Sequence, residues 1–177
     1  MAPGILPGPW LAGRYIEGMS LPARLRGQRD RPPAPAPSKA PMMKLQLNGL
    51  TTNYELHGPE GAPWLVLSHS LAYSSAMWAP QVEALKGDYR ILAYDTRGHG
   101  GTEAPPGPYT LEQLADDLHA LLGALGVERP HYCGLSMGGM IGQTYALKYP
   151  GRLRSLTLAD TTSRYPAEAA AVWAQRI

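Results

Sequence analysis

The chain has 177 residues, enough for one ordinary domain, with sixteen Lys and Arg against fourteen Asp and Glu for a formal net charge of +2. Charged residues are only 17% of the whole, which argues against a nucleic-acid binder with a dense basic surface, and the 44% hydrophobic content suffices for a packed core. A single cysteine, Cys133, excludes an internal disulfide framework and a Cys-rich metal cluster, and no apolar run approaches the roughly 18 residues of a membrane span.

The bulk figures conceal a division. Residues 1–41 hold nine of the eighteen prolines and carry six basic residues against two acidic ones, so the basic balance belongs to this segment. Proline at that density removes backbone donors and blocks helix and sheet ladders, and a disordered Pro/Arg-rich extension is expected. The arginines also suggest a targeting peptide, but there are only two serines and no apolar stretch before a small-residue cleavage site. Translation from Met42 or Met43 would leave the extension out altogether.

From Met43 the pattern becomes regular. Lys44 to Leu47 alternates, Asn48-Gly49 is a two-residue hairpin turn, and Leu50 to Leu56 returns as the second strand. Trp64 to Leu67 is a continuous apolar run, which predicts a strand buried on both faces. Residues 74–86 predict a helix with Met77, Trp78, Val82 and Leu85 near one face and Pro80 in its first turn; Arg90 to Tyr94 predicts the next strand. Thr110 and Gln113 form a capping-box pattern ahead of a stripe of Leu111, Leu114, Leu118, Leu121, Leu122 and Leu125. His131 to Cys133 is expected to end a short strand, residues 137–148 to form a helix, and Leu153 to Leu158 a last strand. A hairpin followed by alternating strands and helices predicts an α/β domain with a mostly parallel sheet.

Within that frame the chemistry concentrates at Gly134-Leu-Ser136-Met-Gly138. A nucleophilic serine on a sharp strand-to-helix turn needs small residues two before and two after it, and a strand and a helix are predicted on either side. Ser68-His-Ser-Leu71 follows the first buried strand, where a loop in this architecture supplies one of two backbone N–H donors for an oxyanion. Tyr94-Asp-Thr-Arg-Gly-His-Gly100 makes a polar, glycine-rich turn after the next strand.

Together with Gly107-Pro-Tyr-Thr110, Cys133-Gly-Leu-Ser-Met-Gly-Gly-Met-Ile-Gly142 and Trp173-Ala-Gln-Arg-Ile177, these segments resemble the α/β-hydrolases, and most closely the 3-oxoadipate enol-lactonases of protocatechuate and catechol breakdown. The resemblance implies an α/β-hydrolase fold with its N-terminal hairpin and strands 1–6 within residues 42–163, and the start of a helical cap over 164–177. It implies that Ser136 is the nucleophile and that Leu71 and Met137 donate the oxyanion-hole N–H groups. Trp173 and Arg176, at i and i+3 on the first cap helix, would bind substrate, the arginine holding the lactone's free carboxylate. A packed tryptophan and a solvated arginine are the plain alternative.

The triad partners should follow the serine in the order acid, then histidine. All five histidines, His57, His69, His99, His119 and His131, precede Ser136, and only Asp160 and Glu168 follow it. The chain is therefore expected to be a C-terminally truncated or split hydrolase without its catalytic Asp and His, and inactive by itself. His99 is the best substitute base, although a loop-holding role suits it better, and His69 suits a backbone-orienting role. Three readings stand: an enol-lactonase working on a small-molecule lactone, a neighbouring carboxylesterase or cofactor-free haloperoxidase, and a non-catalytic binding protein of the same fold. No cofactor, metal, nucleic acid or membrane partner is expected, and the location expected is cytoplasmic.

Overall fold

The computed structural model describes residues 41–164. The proposed extension falls almost wholly outside the described residues, as do Glu168, Trp173, Arg176 and the start of the cap. Strand β1 (Met43–Leu47) turns through Asn48 and Gly49, both at positive φ, into the antiparallel β2 (Leu50–His57). The Asn-Gly pair supplies the left-handed backbone that a two-residue hairpin requires. Strands β3 (Trp64–Ser68), β4 (Arg90–Tyr94), β5 (His131–Leu135) and β6 (Ser155–Ala159) complete a six-stranded sheet in the order β1-β2-β4-β3-β5-β6. β2 meets β4 antiparallel, whereas the β4-β3, β3-β5 and β5-β6 contacts are parallel.

The apolar run of β3 is buried on both faces, as its pattern predicts. Val66, in register with Leu92 and Tyr132, joins the larger core cluster under helices α2 (Leu111–Ala124) and α3 (Met137–Lys148). Leu65 and Leu67 point the other way and pack with Ile91, Trp78 and Val82. Leu114, Leu118, Leu121 and Leu122 of α2 are each 7% exposed or less, so the leucine stripe is the core face. Thr110 caps this helix, its hydroxyl accepting the Gln113 N–H at 3.1 Å. The reciprocal bond of a full capping box is absent among the described residues.

Two predicted elements differ in detail. The first turn of the 74–86 segment is a 3-10 turn (Ser75–Trp78), and helix α1 (Ala79–Leu85) begins only after it. Pro80 has no N–H to close an α-helical bond back to Ala76, so the tighter turn precedes it. The strand expected to end near Cys133 instead starts at His131 and runs to Leu135, because Gly134 and Leu135 pair with Leu158 and Ala159 of β6. β6 lies at one edge of the sheet among the described residues, and Leu158 is 44% exposed. None of the described helices is long and apolar enough to cross a membrane.

Candidate active site

After β4 forms beside β3, the chain crosses to place β5 on the other side of β3. Such a reversal opens a crevice at the carboxyl ends of the strands it separates. The loops leaving β3 and β5 are those carrying Ser68-His-Ser-Leu71 and Ser136.

Ser136 is the N-cap of α3 with φ 51° and ψ −111°, a left-handed backbone unusual for a residue with a side chain. The geometry explains the glycines around it. A Cβ on Gly134 would overlap the Gly138 carbonyl and come within 2.6 Å of Gly139 N; one on Gly138 would overlap the Ser68 carbonyl and approach His69 O to 2.9 Å. With both positions bare, α3 packs directly on the end of β3. The turn is held by Ser136 N–H donating to Ala159 O at 2.9 Å and by Thr161 Oγ1 donating to the Ser136 carbonyl at 2.7 Å. From beneath, the buried Tyr132 hydroxyl donates to the Gly138 carbonyl at 2.7 Å.

Leu71 lies in the exposed turn after β3, just before Ala72 at φ 61°, and Met137 is the first residue of α3. Among the described residues neither main-chain N–H donates to a protein acceptor. At the start of a helix such free donors carry partial positive charge.

The loop that bears Leu71 is anchored from β4. Asp95 accepts from Ser75 N–H at 2.7 Å, Asn53 Nδ2 at 2.7 Å and Gly101 N–H at 2.8 Å. Burial pushes the Asp95 pKa up, but these donors outweigh it and the net shift is downward, so the carboxylate is ionised. His69 is wholly buried, with Nδ1 against the Ser70 carbonyl at 2.8 Å and Nε2 receiving the Thr96 N–H at 3.0 Å. Burial lowers its pKa, and His99 adds to this against the opposing pull of the Ser70 carbonyl. Arg97 forks onto Asp117 of α2, Nε to Oδ2 at 2.8 Å and Nη2 to Oδ1 at 2.9 Å, tying the glycine-rich turn to the helix layer.

Ser136 and Met137 at the β5–α3 junction and Leu71 after β3 thus lie at the carboxyl ends of two adjacent parallel strands. None of the five histidines hydrogen-bonds Ser136. His57 faces Glu55 at 2.9 Å, His119 stacks on Tyr149 at 3.9 Å, and His131 meets Ser155 Oγ at 2.8 Å. His99 Nδ1 is engaged by Thr96 and the Arg97 carbonyl. Asp160 is exposed at φ 44° with no histidine partner among the described residues. Two surface clefts of about 240 and 230 Å³ are lined by other residues. Thr96, Asn53 and the Arg97–Asp117 fork escaped the sequence reading, since nothing in the local pattern joins residues so far apart; only the clustering of polar residues after β4 pointed there.

The chain is 40% identical over 116 residues to 3-oxoadipate enol-lactonase 1 of Acinetobacter baylyi, covering 66% of this chain and 43% of that protein. It is also 40% identical over 128 residues to a Stutzerimonas stutzeri protein provisionally named carbamate hydrolase RutD, covering 71% and 48%. The enol-lactonase structure from Burkholderia xenovorans LB400 superposes with a TM-score of 0.71 at 43% identity, covering 76% of this chain and 52% of that one. The chain spans about half the length of these relatives. Residues 63–176 match the family described by the alpha/beta hydrolase fold, and the chain belongs to that family.

Proposed function

We propose that residues 41–164 carry the nucleophile and oxyanion hole of a serine hydrolase acting on a lactone of the enol-lactone type. The observation supporting this most directly is the strained Ser136 together with two main-chain N–H groups, those of Leu71 and Met137, that have no protein acceptor among the described residues. In this reaction Ser136 Oγ bonds to the lactone carbonyl carbon and its proton passes to a base. The carbonyl oxygen becomes an oxyanion received by the two N–H groups, each such donor lowering the barrier by about 3 kcal/mol. Collapse breaks the ring C–O bond; the enolate takes up a proton and becomes the ketone. Water then attacks the acyl-serine ester, releasing the second carboxylate and returning the proton to the serine. A base other than the five described histidines is required, and the chain by itself is expected to turn over slowly or not at all.

Carbamate or ester cleavage at the same serine is the second reading, favoured by the similarity to the carbamate hydrolase relative. The test is hydrolysis of 3-oxoadipate enol-lactone, a carbamate and an aryl ester by this chain fused to the C-terminal half of an enol-lactonase relative, which supplies the base, with mass spectrometry of the Ser136 peptide after a fluorophosphonate probe. An adduct on Ser136 that Ser136→Ala abolishes, with preference for the lactone, is the expected result. A folded chain that never labels at Ser136, or activity unchanged in Ser136→Ala, refutes the nucleophile; preference for the carbamate favours the second reading.

A further inference from the structure

Thr96 follows β4 with its main-chain N–H 3.0 Å and its hydroxyl 3.1 Å from His69 Nε2. Across the same ring, Nδ1 lies 2.8 Å from the Ser70 carbonyl oxygen. An amide N–H can only donate and a carbonyl can only accept, so His69 is neutral with its proton on Nδ1. The direction of the hydroxyl follows from His99, whose Nδ1 is 3.0 Å from the Arg97 carbonyl and 3.1 Å from Thr96 Oγ1. That carbonyl requires a proton on His99 Nδ1, which leaves Thr96 Oγ1 to accept from His99 and donate to His69. The hydrogen bonds run one way, from His99 through Thr96 and His69 to Ser70.

We propose that this chain of bonds aims the oxyanion loop, with Thr96 as its positioning residue; the inference rests on the serine-hydrolase reading above. The Ser70 carbonyl is fixed by His69 and by the Tyr73 N–H at 3.2 Å. In a planar trans peptide the next N–H points opposite that carbonyl, so clamping Ser70 O sets the direction of Leu71 N–H, away from the buried imidazole. A His69 protonated on Nε2 instead would set a lone pair against the Ser70 carbonyl and a proton against the Thr96 amide. Two attractive contacts would become repulsive, and the exposed turn holding Leu71 would lose its reference.

Long-range 1H–15N correlation spectra of the full chain at pH 7.5 read the tautomers directly. His69 and His99 are both expected in the Nδ1–H form; Thr96→Ser keeps both contacts of the hydroxyl, whereas Thr96→Val retains the main-chain N–H, leaves His69 in the Nδ1–H form and removes the hydroxyl link to His99. A native His69 that is Nε2–H or doubly protonated overturns the proposal without any variant. Aim is read by titrating phenylboronic acid, whose tetrahedral serine adduct places an oxygen where the oxyanion forms, into the chain fused to the C-terminal half of an enol-lactonase relative, and following the Leu71 and Met137 amide resonances. Thr96→Val should weaken binding about tenfold, the scale of one hydrogen bond, and Thr96→Ser less than about twofold. Equal affinity of Thr96→Val and the native chain overturns the positioning role. A boronate that shifts neither amide in the native chain counts against the serine-hydrolase reading, and the tautomer result alone then upholds or overturns the chain of bonds.

Discussion

Gly138 sits in the first turn of α3, where ordinary helix propensity makes alanine the better residue by about 1 kcal/mol. The close approach of α3 to β3 predicts the opposite outcome. A methyl group at Gly138 would stand 2.7 Å from Ser68 C and 2.9 Å from His69 O, and would overlap the Ser68 carbonyl oxygen. All three are main-chain atoms at the end of a central strand, so no side chain can swing aside; either the helix or the strand end must move. Overpacking of this kind costs about 3 kcal/mol, which leaves Gly138→Ala destabilised by about 2 kcal/mol after the propensity gain. Gly123 near the end of α2 is the internal control. It is also helical, and nothing lies within 4 Å of the place its Cβ would take. Gly123→Ala should gain about 0.5–1 kcal/mol. At about 4 °C per kcal/mol for a domain of this size, thermal unfolding followed by circular dichroism should show Gly138→Ala falling by about 8 °C and Gly123→Ala rising by about 2–4 °C. A Gly138→Ala Tm equal to or above that of the native chain would refute the steric account of the elbow.

The same strain has a second signature: at φ 51°, Ser136→Gly relieves an unfavourable backbone and should stabilise the fold by about 1 kcal/mol in urea unfolding, while removing the nucleophile. Asp117→Asn leaves the buried Arg97 guanidinium without its charge partner, and a loss of about 3 kcal/mol is expected in the same assay; a loss below about 1 kcal/mol would show the fork to be dispensable. Thr110→Ala removes the N-cap of α2 and should cost about 1 kcal/mol, with Thr110→Ser restoring most of it. His69 is held below its ordinary 6.5, so on acidification the unfolded chain binds a proton before the folded one, and stability declines as pH falls below about 6.5. His69→Gln should flatten the urea midpoint between pH 7 and 5. Asp95 acts lower down: its depressed folded pKa contributes stability that is present above 3.8 and lost as pH falls through the folded value.

Much of the architecture was legible because its determinants are local. Asn48-Gly49 fixes the hairpin, the period-2 burial of Val66 against Leu65 and Leu67 follows from one apolar run, and the leucine spacing of α2 marks its core face. The elbow was legible because steric exclusion at Gly134 and Gly138 leaves a fixed interval around Ser136. What could not be read was contact across the sheet's carboxyl edge. Thr96 meets His69 from 27 residues away because β4 and β3 lie side by side, and Arg97 meets Asp117 from 20 because α2 packs on the face of β4. Local bookkeeping also misjudged the 3-10 turn before Pro80 and the far end of β5. In the second case the decisive partners, Leu158 and Ala159, are supplied by a strand formed later in the chain.

The hairpin turn has a consequence for the chemical lifetime of the protein. Asn48 is followed by Gly49, whose unshielded main-chain nitrogen is well suited to attack the Asn48 side-chain carbonyl carbon, expel the Nδ2 nitrogen as ammonia and close a succinimide. The Asn48 amide reaches over to α2, donating at 3.3 Å to Asp117 Oδ1 and at 3.4 Å to the Asp116 carbonyl. Hydrolysis of that ring turns a donor into a second carboxylate beside Asp117, the same group that neutralises Arg97. Slow ageing of one surface amide is thereby wired, through a single aspartate, to the turn that carries Thr96 and His99.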